Sequence, residues 1–263
     1  INKCNEEKNI YLFNIKKSHS QYGEKYLKKI GLKESDWYVT IHVRDGTYRK
    51  KEKNQSFRNA NIDDYIPAIN EITKAGGYVF RVGNPGSKEI SIKDGYIDYA
   101  NSKYKSEELD LFLGATSKFC VATSSGFYII PVMFSVPVLM TNCAQHGVFF
   151  ELNKKDIYLP RTLKSKIDGK ILKIETIFNY PYTSLADDRS YKENKIEVIK
   201  NSCEEIKNAT IEMLKENKKE TPSYLYSDLQ KTVNTKIHNM QKEKNTNLEP
   251  LSKISHYFLE KNL

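Results

Sequence analysis

The chain has 263 residues, with 42 lysines and arginines against 33 aspartates and glutamates, and a formal net charge of +9. A 39% hydrophobic and 29% charged composition fits a soluble globular protein of one large or two modest domains, and no apolar run approaches the roughly 20 residues that span a bilayer. The positive balance suits a phosphorylated ligand, nucleic acid or an anionic membrane surface. Lysines, however, are spread along the whole chain and no RNA-binding or helix-turn-helix pattern stands out, which argues against specific nucleic-acid binding.

Cys4, Cys120, Cys143 and Cys203 form no CxxC pair and no zinc-type spacing. Cys120 lies in an apolar strand pattern and reads as a buried reduced thiol, which favours a reducing, cytoplasmic compartment. The chain opens on Ile1 without a leader pattern and reads as a processed or truncated piece.

In chain order, residues 10–13 read as a short strand. Residues 20–30 read as a helix with Tyr22, Tyr26, Leu27 and Ile30 at helical spacing and Gly31 as its stop. Residues 37–43 read as the first strand of a parallel sheet, with Val39, Ile41 and Val43 as its anchors. A polar loop over residues 47–59 follows, carrying Arg49 and Arg58; a loop this long is functional or disordered. Asn61 caps the next helix, lined by Ile62, Tyr65, Ile66, Ile69 and Ile72 and ended by Gly76-Gly77. Residues 78–82 form the second strand, closing a strand–helix–strand unit with a right-handed crossover. Residues 97–99 read as a third strand, and Ser106 with Glu107-Glu108 opens a helix through Leu113.

Residues 119–122 read as a fourth strand, 127–134 as a helix and 137–141 as a fifth strand. Beyond them the expectations are a strand over 155–160, a loop and short helix over 167–178, one long helix over 193–215, an amphipathic basic helix over 225–240 and a last helix over 252–259.

Chemistry gathers where the strands end. The first strand closes in His42-Val43-Arg44-Asp45-Gly46, and ligands of open α/β sheets bind at such C-terminal ends. Arg44 either grips a phosphate with its planar fork or closes a salt bridge at the sheet rim. After the fourth strand, Thr123-Ser124-Ser125-Gly126 is either a phosphate-binding turn of backbone N–H groups and hydroxyls or a plain serine cap. Arg81 and the turn Gly83-Asn84-Pro85 close the second strand, and Asn142 the fifth; each is a ligand contact or a residue chosen for the turn's shape. His42 is a candidate acid–base group; His146 reads first as structural. Neither GxxxxGK[ST], GxGxxG, HExxH nor a paired Asp-x-Asp cluster is present, so no metal ligand set is expected.

His42-Val43-Arg44 resembles the H-x-R motif of the fucosyltransferase superfamily (α1,6-, α1,2- and protein O-fucosyltransferases). The set Phe57-Arg58-Asn59, residues 77–85, Asp110-Leu111-Phe112-Leu113-Gly114, the Ser-Ser-Gly turn, residues 137–142 and the terminal Lys253-Ile254-Ser255 to Phe258-Leu259 is similar, in order and spacing, to a family of bacterial glycosyltransferases. The likeness covers about residues 20–263.

The resemblance implies an α/β fold: a Rossmann-like parallel sheet forming the C-terminal, donor-binding half of a GT-B glycosyltransferase, with a helical C-terminal extension. Residues 1–36 would end a preceding acceptor-side domain and form a linker helix. Residues 37–190 would be the nucleotide-sugar-binding domain, and 191–263 helices packing on the GT-B domains. The implied activity is transfer of a sugar from a nucleotide-sugar donor to a glycan or lipid-linked acceptor in surface-polysaccharide synthesis. It would be metal-independent and without cofactor, with peripheral membrane contact through the basic surface.

In that reading Arg44 and His42 are catalytic. Arg44 contacts the donor diphosphate, Ser124, Ser125 and Gly126 its distal phosphate, and Arg81, Gly83, Asn84 and Asn142 complete the donor site. Asp45 and Gly46 stand where a second arginine is common in fucosyltransferases, so the donor need not be GDP-fucose. The alternative is a catalytically silent nucleotide- or glycan-binding module, or another nucleotide-sugar enzyme.

Overall fold

The strand over residues 37–43 forms as β1 (Tyr38–His42), whose first four residues are buried. The computed structural model describes residues 13–48, 53–92, 94–146, 155–217, 227–242 and 252–263; the strand expected at 10–13 lies, but for Phe13, outside them. β1 pairs in parallel with β2 (Tyr78–Val82) on one side and β4 (Cys120–Thr123) on the other. β3 (Tyr96–Ile97), β5 (Val138–Cys143), β6 (Ile157–Pro160) and β9 (Lys253–Ile254) complete a seven-stranded sheet in the order β3-β2-β1-β4-β5-β6-β9. All its pairings are parallel. The first six strands follow the doubly wound order, which reverses direction between β1 and β4 and opens a crevice there at the strands' C-terminal ends.

Alternation along the strands splits the core in two. Val39, Ile41 and Val79 face one cluster with Tyr65, Ile69 and Ile72, while Tyr38, Phe80 and Val82 face another with Tyr26, Tyr99 and Phe112. Val39, Ile41, Val79 and Phe80 are all 0% exposed, each contributing about 1.5–3 kcal/mol of burial. Helix α1 (Lys17–Lys29) packs on α3 (Glu107–Thr116) over the Tyr26 face. Helix α2 (Ile66–Lys74) packs on α7 (Cys203–Glu216) over the other. Ser106 caps α3 as expected, its side chain accepting from the Leu109 N–H. Asn61 caps a 3₁₀ turn, Ile62–Tyr65, that leads into α2. Cys120 and Cys143 are free, buried thiols.

Several expectations are corrected. The long loop contains a 3₁₀ helix, Lys53–Arg58. The helix expected over 127–134 is a 3₁₀ turn, Gly126–Tyr128, followed by the five-residue α4 (Ile129–Met133). Between β6 and the short α5 (Ile174–Ile177) lies β7 (Thr162–Ser165).

The single helix over 193–215 does not form. Residues 188–193 make the short α6 (Asp188–Glu193), Lys195 takes φ 55°, and β8 (Ile196–Ile199) pairs antiparallel with β7. A reciprocal capping box between Ser202 and Glu205 then starts α7. Cys203 is exposed at its first residue, not part of an apolar stripe. The basic helix forms as α8 (Asp228–Lys242). The last helix gives up its first residues to β9 and begins at α9 (His256–Asn262). The C-terminal part is therefore not purely helical. Tyr26 sits in the same core as β2, and β9 in the same sheet as β6, so packing crosses the boundaries expected at 36/37 and 190/191. No helix among the described residues is long and apolar enough to cross a membrane.

Candidate functional site

A cleft of about 430 Å³ opens at the crevice between β1 and β4. Its walls are His42 at the end of β1 and residues 43–48 after it, Gly83, Asn84 and Ser87 after β2, residues 125–127 after β4, Gln55 and Arg58 from the 3₁₀ helix, Lys105 just before α3 and Asp110 in its first turn. Of the residues singled out from the sequence, His42, Arg44, Gly83, Asn84, Ser125 and Gly126 line it together. Arg81, Ser124 and Asn142 stand outside it. Arg81 is 2% exposed, donates to the Lys88 carbonyl and lies 4.0 Å from Asp45 and 3.9 Å from Asp98. Ser124 is buried, its hydroxyl donating to Gln145 Oε1 at 3.2 Å. Asn142 belongs to β5 itself, at φ 52°, and is locked to Asn201 by bonds of 2.6 and 3.0 Å.

The two arginines of the cleft are held by neutral groups. Arg44 donates from its backbone N–H to Thr123 Oγ1 at 2.9 Å and from Nε to Asn59 Oδ1 at 3.0 Å, which leaves its two Nη groups unbonded among the described residues. Arg58 places Nε and Nη2 on the Ser124 carbonyl at 2.9 and 2.5 Å, and Nη1 on Gln55 at 3.2 Å. No carboxylate pairs with either arginine among the described residues. Burial first, and the neighbouring charge of Arg44 second, hold the Arg58 pKa below the usual arginine value. Two guanidiniums lining one partly desolvated cleft without a carboxylate partner favour an anion there.

Each carboxylate of the cleft is bonded through one oxygen, while Asp45 Oδ2 and Asp110 Oδ1 are buried without a hydrogen-bond partner. Lys105 pairs with Asp110, whose pKa burial raises against the pull of that lysine. For Asp45, burial acts upward, but hydrogen bonds from the Thr47 hydroxyl and N–H at 2.7 and 2.9 Å outweigh it, helped by Ser87 and Arg81, and its pKa falls. His42 stacks on Phe127, with ring centres 5.5 Å apart and planes 6° from parallel. Burial is the main cause of its pKa being pushed down to about 4, so its imidazole is neutral at pH 7. Its Nδ1 is buried without a hydrogen-bond partner.

The Ser124-Ser125-Gly126 turn differs from expectation in two ways. Ser125 makes no side-chain cap, so the plain-cap reading does not hold. The helix behind it is too short to add more than a weak dipole, because the macrodipole sums over aligned peptide units. Positive charge here comes from the arginines instead. Arg58, Lys105 and Asp110 were not singled out as ligand contacts by their own sequence signals. Arg58 was read as an arginine in an over-long loop, and Arg58 and Asp110 entered the resemblance only as members of its motifs Phe57-Arg58-Asn59 and Asp110-Leu111-Phe112-Leu113-Gly114, with no ligand role. Among the described residues no group of three or more His, Cys, Asp and Glu lies close enough to hold a metal ion. No protein-family model, curated protein or solved structure matches this chain.

Proposed function

We propose that this protein is a glycosyltransferase whose β1–β4 cleft binds the diphosphate of a nucleotide sugar and whose transfer reaction delivers the sugar to a glycan or lipid-linked acceptor. The supporting observation is the pair Arg44 and Arg58, two guanidiniums without a carboxylate partner facing one cleft at the sheet's switch point. When the bond from the sugar's anomeric carbon to the diphosphate breaks, its electron pair leaves as negative charge on phosphate oxygens. Fixed positive groups aimed at those oxygens favour the transition state over the ground state. Arg44 offers free Nη donors, the open backbone at Ser125 and Gly126 lies across from it, and neutral His42 contributes a hydrogen bond without a third fixed charge. The order of motifs that resembles bacterial glycosyltransferases points the same way.

The test is a thermal-shift and calorimetric screen of the full chain against UDP, GDP, CMP, dTDP and their sugars. One nucleoside diphosphate should raise the melting temperature, with about 2.7 kcal/mol of stabilisation at 100 times its Kd. Arg44→Met should abolish that shift. Absence of any response to every nucleoside diphosphate would sink the proposal; binding without sugar transfer or hydrolysis would leave a nucleotide-binding module.

A further inference from the structure

Behind the cleft, and outside it, lies Arg161, which follows β6 directly and is 1% exposed. Its guanidinium reaches three neutral oxygens: Nε donates to Asn142 Oδ1 at 3.1 Å, Nη1 to the Phe57 carbonyl and Nη2 to the Asn59 carbonyl at 2.6 Å. Among the described residues it has no carboxylate partner. A buried guanidinium without a carboxylate is costly unless its donors are satisfied, so this arrangement is not explained by charge pairing. What its bonds share is their target: two of three fall on the carbonyls either side of Arg58. Asn59, whose carbonyl Arg161 holds, uses its side chain to orient Arg44 at 3.0 Å, and the Ala60 N–H donates to the Arg44 carbonyl at 2.8 Å. Asn142 in turn is braced by Asn201 and by the Tyr65 hydroxyl at 3.0 Å.

We propose that Arg161 is the positioning residue of the anion site: it clamps residues 57–59 to the buried Asn142–Asn201–Tyr65 network and so aims both Arg44 and Arg58 at one ligand. The inference rests on reading the cleft as an anion site. Arg44 follows β1 and Arg58 ends the 3₁₀ helix; the Ala60–Arg44 bond and the bonds to Thr123 and the Ser124 carbonyl tie them locally, Asp188 accepts from the Ser56 and Phe57 N–H groups at 2.8 Å, and no strand pairing includes residues 57–59. Arg161, which follows β6 and bonds Asn142 of β5, ties residues 57–59 directly to the sheet. The fork geometry matters because lysine cannot hold two carbonyls and a side-chain amide in one plane.

The experiment uses the full chain as wild type, Arg161→Met, Arg161→Lys and Asn59→Ala, with inorganic pyrophosphate as the probe. Amide hydrogen exchange is followed at residues 57–60, with residues 203–216 as internal reference, and pyrophosphate affinity by calorimetry. Arg161→Met should speed exchange at 57–60 and leave 203–216 unchanged, and should weaken pyrophosphate binding by about ten-fold or more, as expected for lost bonds to a charged group. Arg161→Lys should restore only part of the affinity. Asn59→Ala leaves the buried carbonyls bonded, so it keeps the wild-type fold should Arg161→Met not fold, and should also weaken binding. Wild-type binding with affinity unchanged in Arg161→Met and Asn59→Ala, or unchanged exchange at 57–60, would overturn the clamp alone. A wild type that binds no pyrophosphate would overturn the anion-site reading and the clamp with it.

Discussion

Arg44 and Arg58 repel each other, and the fold keeps them together with neutral partners: an asparagine side chain for one, a backbone carbonyl and a glutamine for the other. Such a pair is relieved by an anion. Arg44→Lys keeps the charge but loses the planar fork, and should lower the rate of the proposed sugar transfer by on the order of 10²-fold, as loss of one oxyanion donor does; steady-state kinetics with the donor found by screening measures it, and normal turnover would make Arg44 a rim residue. His42 gives a second test at this scale. Its pKa, like that of His146 (about 3), is depressed from 6.5 by burial. The unfolded chain therefore binds protons that the folded one refuses. Both histidines stabilise the fold above pH 6.5, and that contribution drains away as pH falls toward 4. Between pH 7 and 5.5 urea unfolding should show stability falling by up to about 1.4 kcal/mol per pH unit per histidine. The raised carboxyls of Asp110 and Glu212 act in the opposite sense, since the folded chain holds protons there that the unfolded one releases. A diphosphate in the cleft should raise the His42 pKa, visible as an upward move of its imidazole titration by NMR.

At the scale of elements, the turn after β1 depends on Gly46, which sits at φ 82° with Asn59 beside it; a Cβ there would stand 2.8 Å from Asn59 Nδ2. Gly46→Ala should cost about 1–2 kcal/mol for the left-handed backbone and displace the side chain that orients Arg44. Nucleotide affinity should then fall further than stability explains, which calorimetry beside urea unfolding resolves. How legible these elements were follows from what holds each in place. β1, β2, β4 and β5 are apolar enough, covered on both faces, to be read within a residue or two. β7 and β8 were missed because each is four residues long and gains its stability from the other, about 30 residues away. Ile196, Ile199, Cys203 and Ile206 also fit a helical spacing, so the pattern alone did not separate strand from helix; Ser202 and Glu205 were the signal that the helix starts later. The cleft was legible where it is made of strand ends. It was not where residues arrive from loops and helix starts, as Arg58 and Lys105 do, since only packing brings those to β1. Arg81 lies behind the cleft wall, where β2 sets it among Asp45, Asp98 and the Lys88 carbonyl.

For the whole molecule, the question is whether α1 and the last strand are appendages or parts of one cooperative unit. α1 meets α3 at a contact that only glycine permits: a Cβ on Gly23 would stand 2.1 Å from the Phe112 ring. Phe112 shares its core with Tyr26, Phe80 and Tyr99, and so touches the sheet from the same side. At the other edge Ile254, 0% exposed, sits opposite Tyr158 in parallel register and in the larger core. Disturbance at either end should reach the central strands, because close-packed interiors transmit strain. Gly23→Ala should overpack the α1–α3 contact and cost about 1–3 kcal/mol; Ile254→Ala should open a cavity and cost about 2–5 kcal/mol. Calorimetry should show both changes lowering the same single transition, by roughly 2–4 °C per kcal/mol for a chain of this size, with near-UV and far-UV signals lost together. A second transition that one of these variants moves and the other does not would mean that the chain unfolds in parts, with its boundary between that residue and β1. The cleft at the β1–β4 crevice would then depend on one part alone, and nucleotide binding would survive melting of the other.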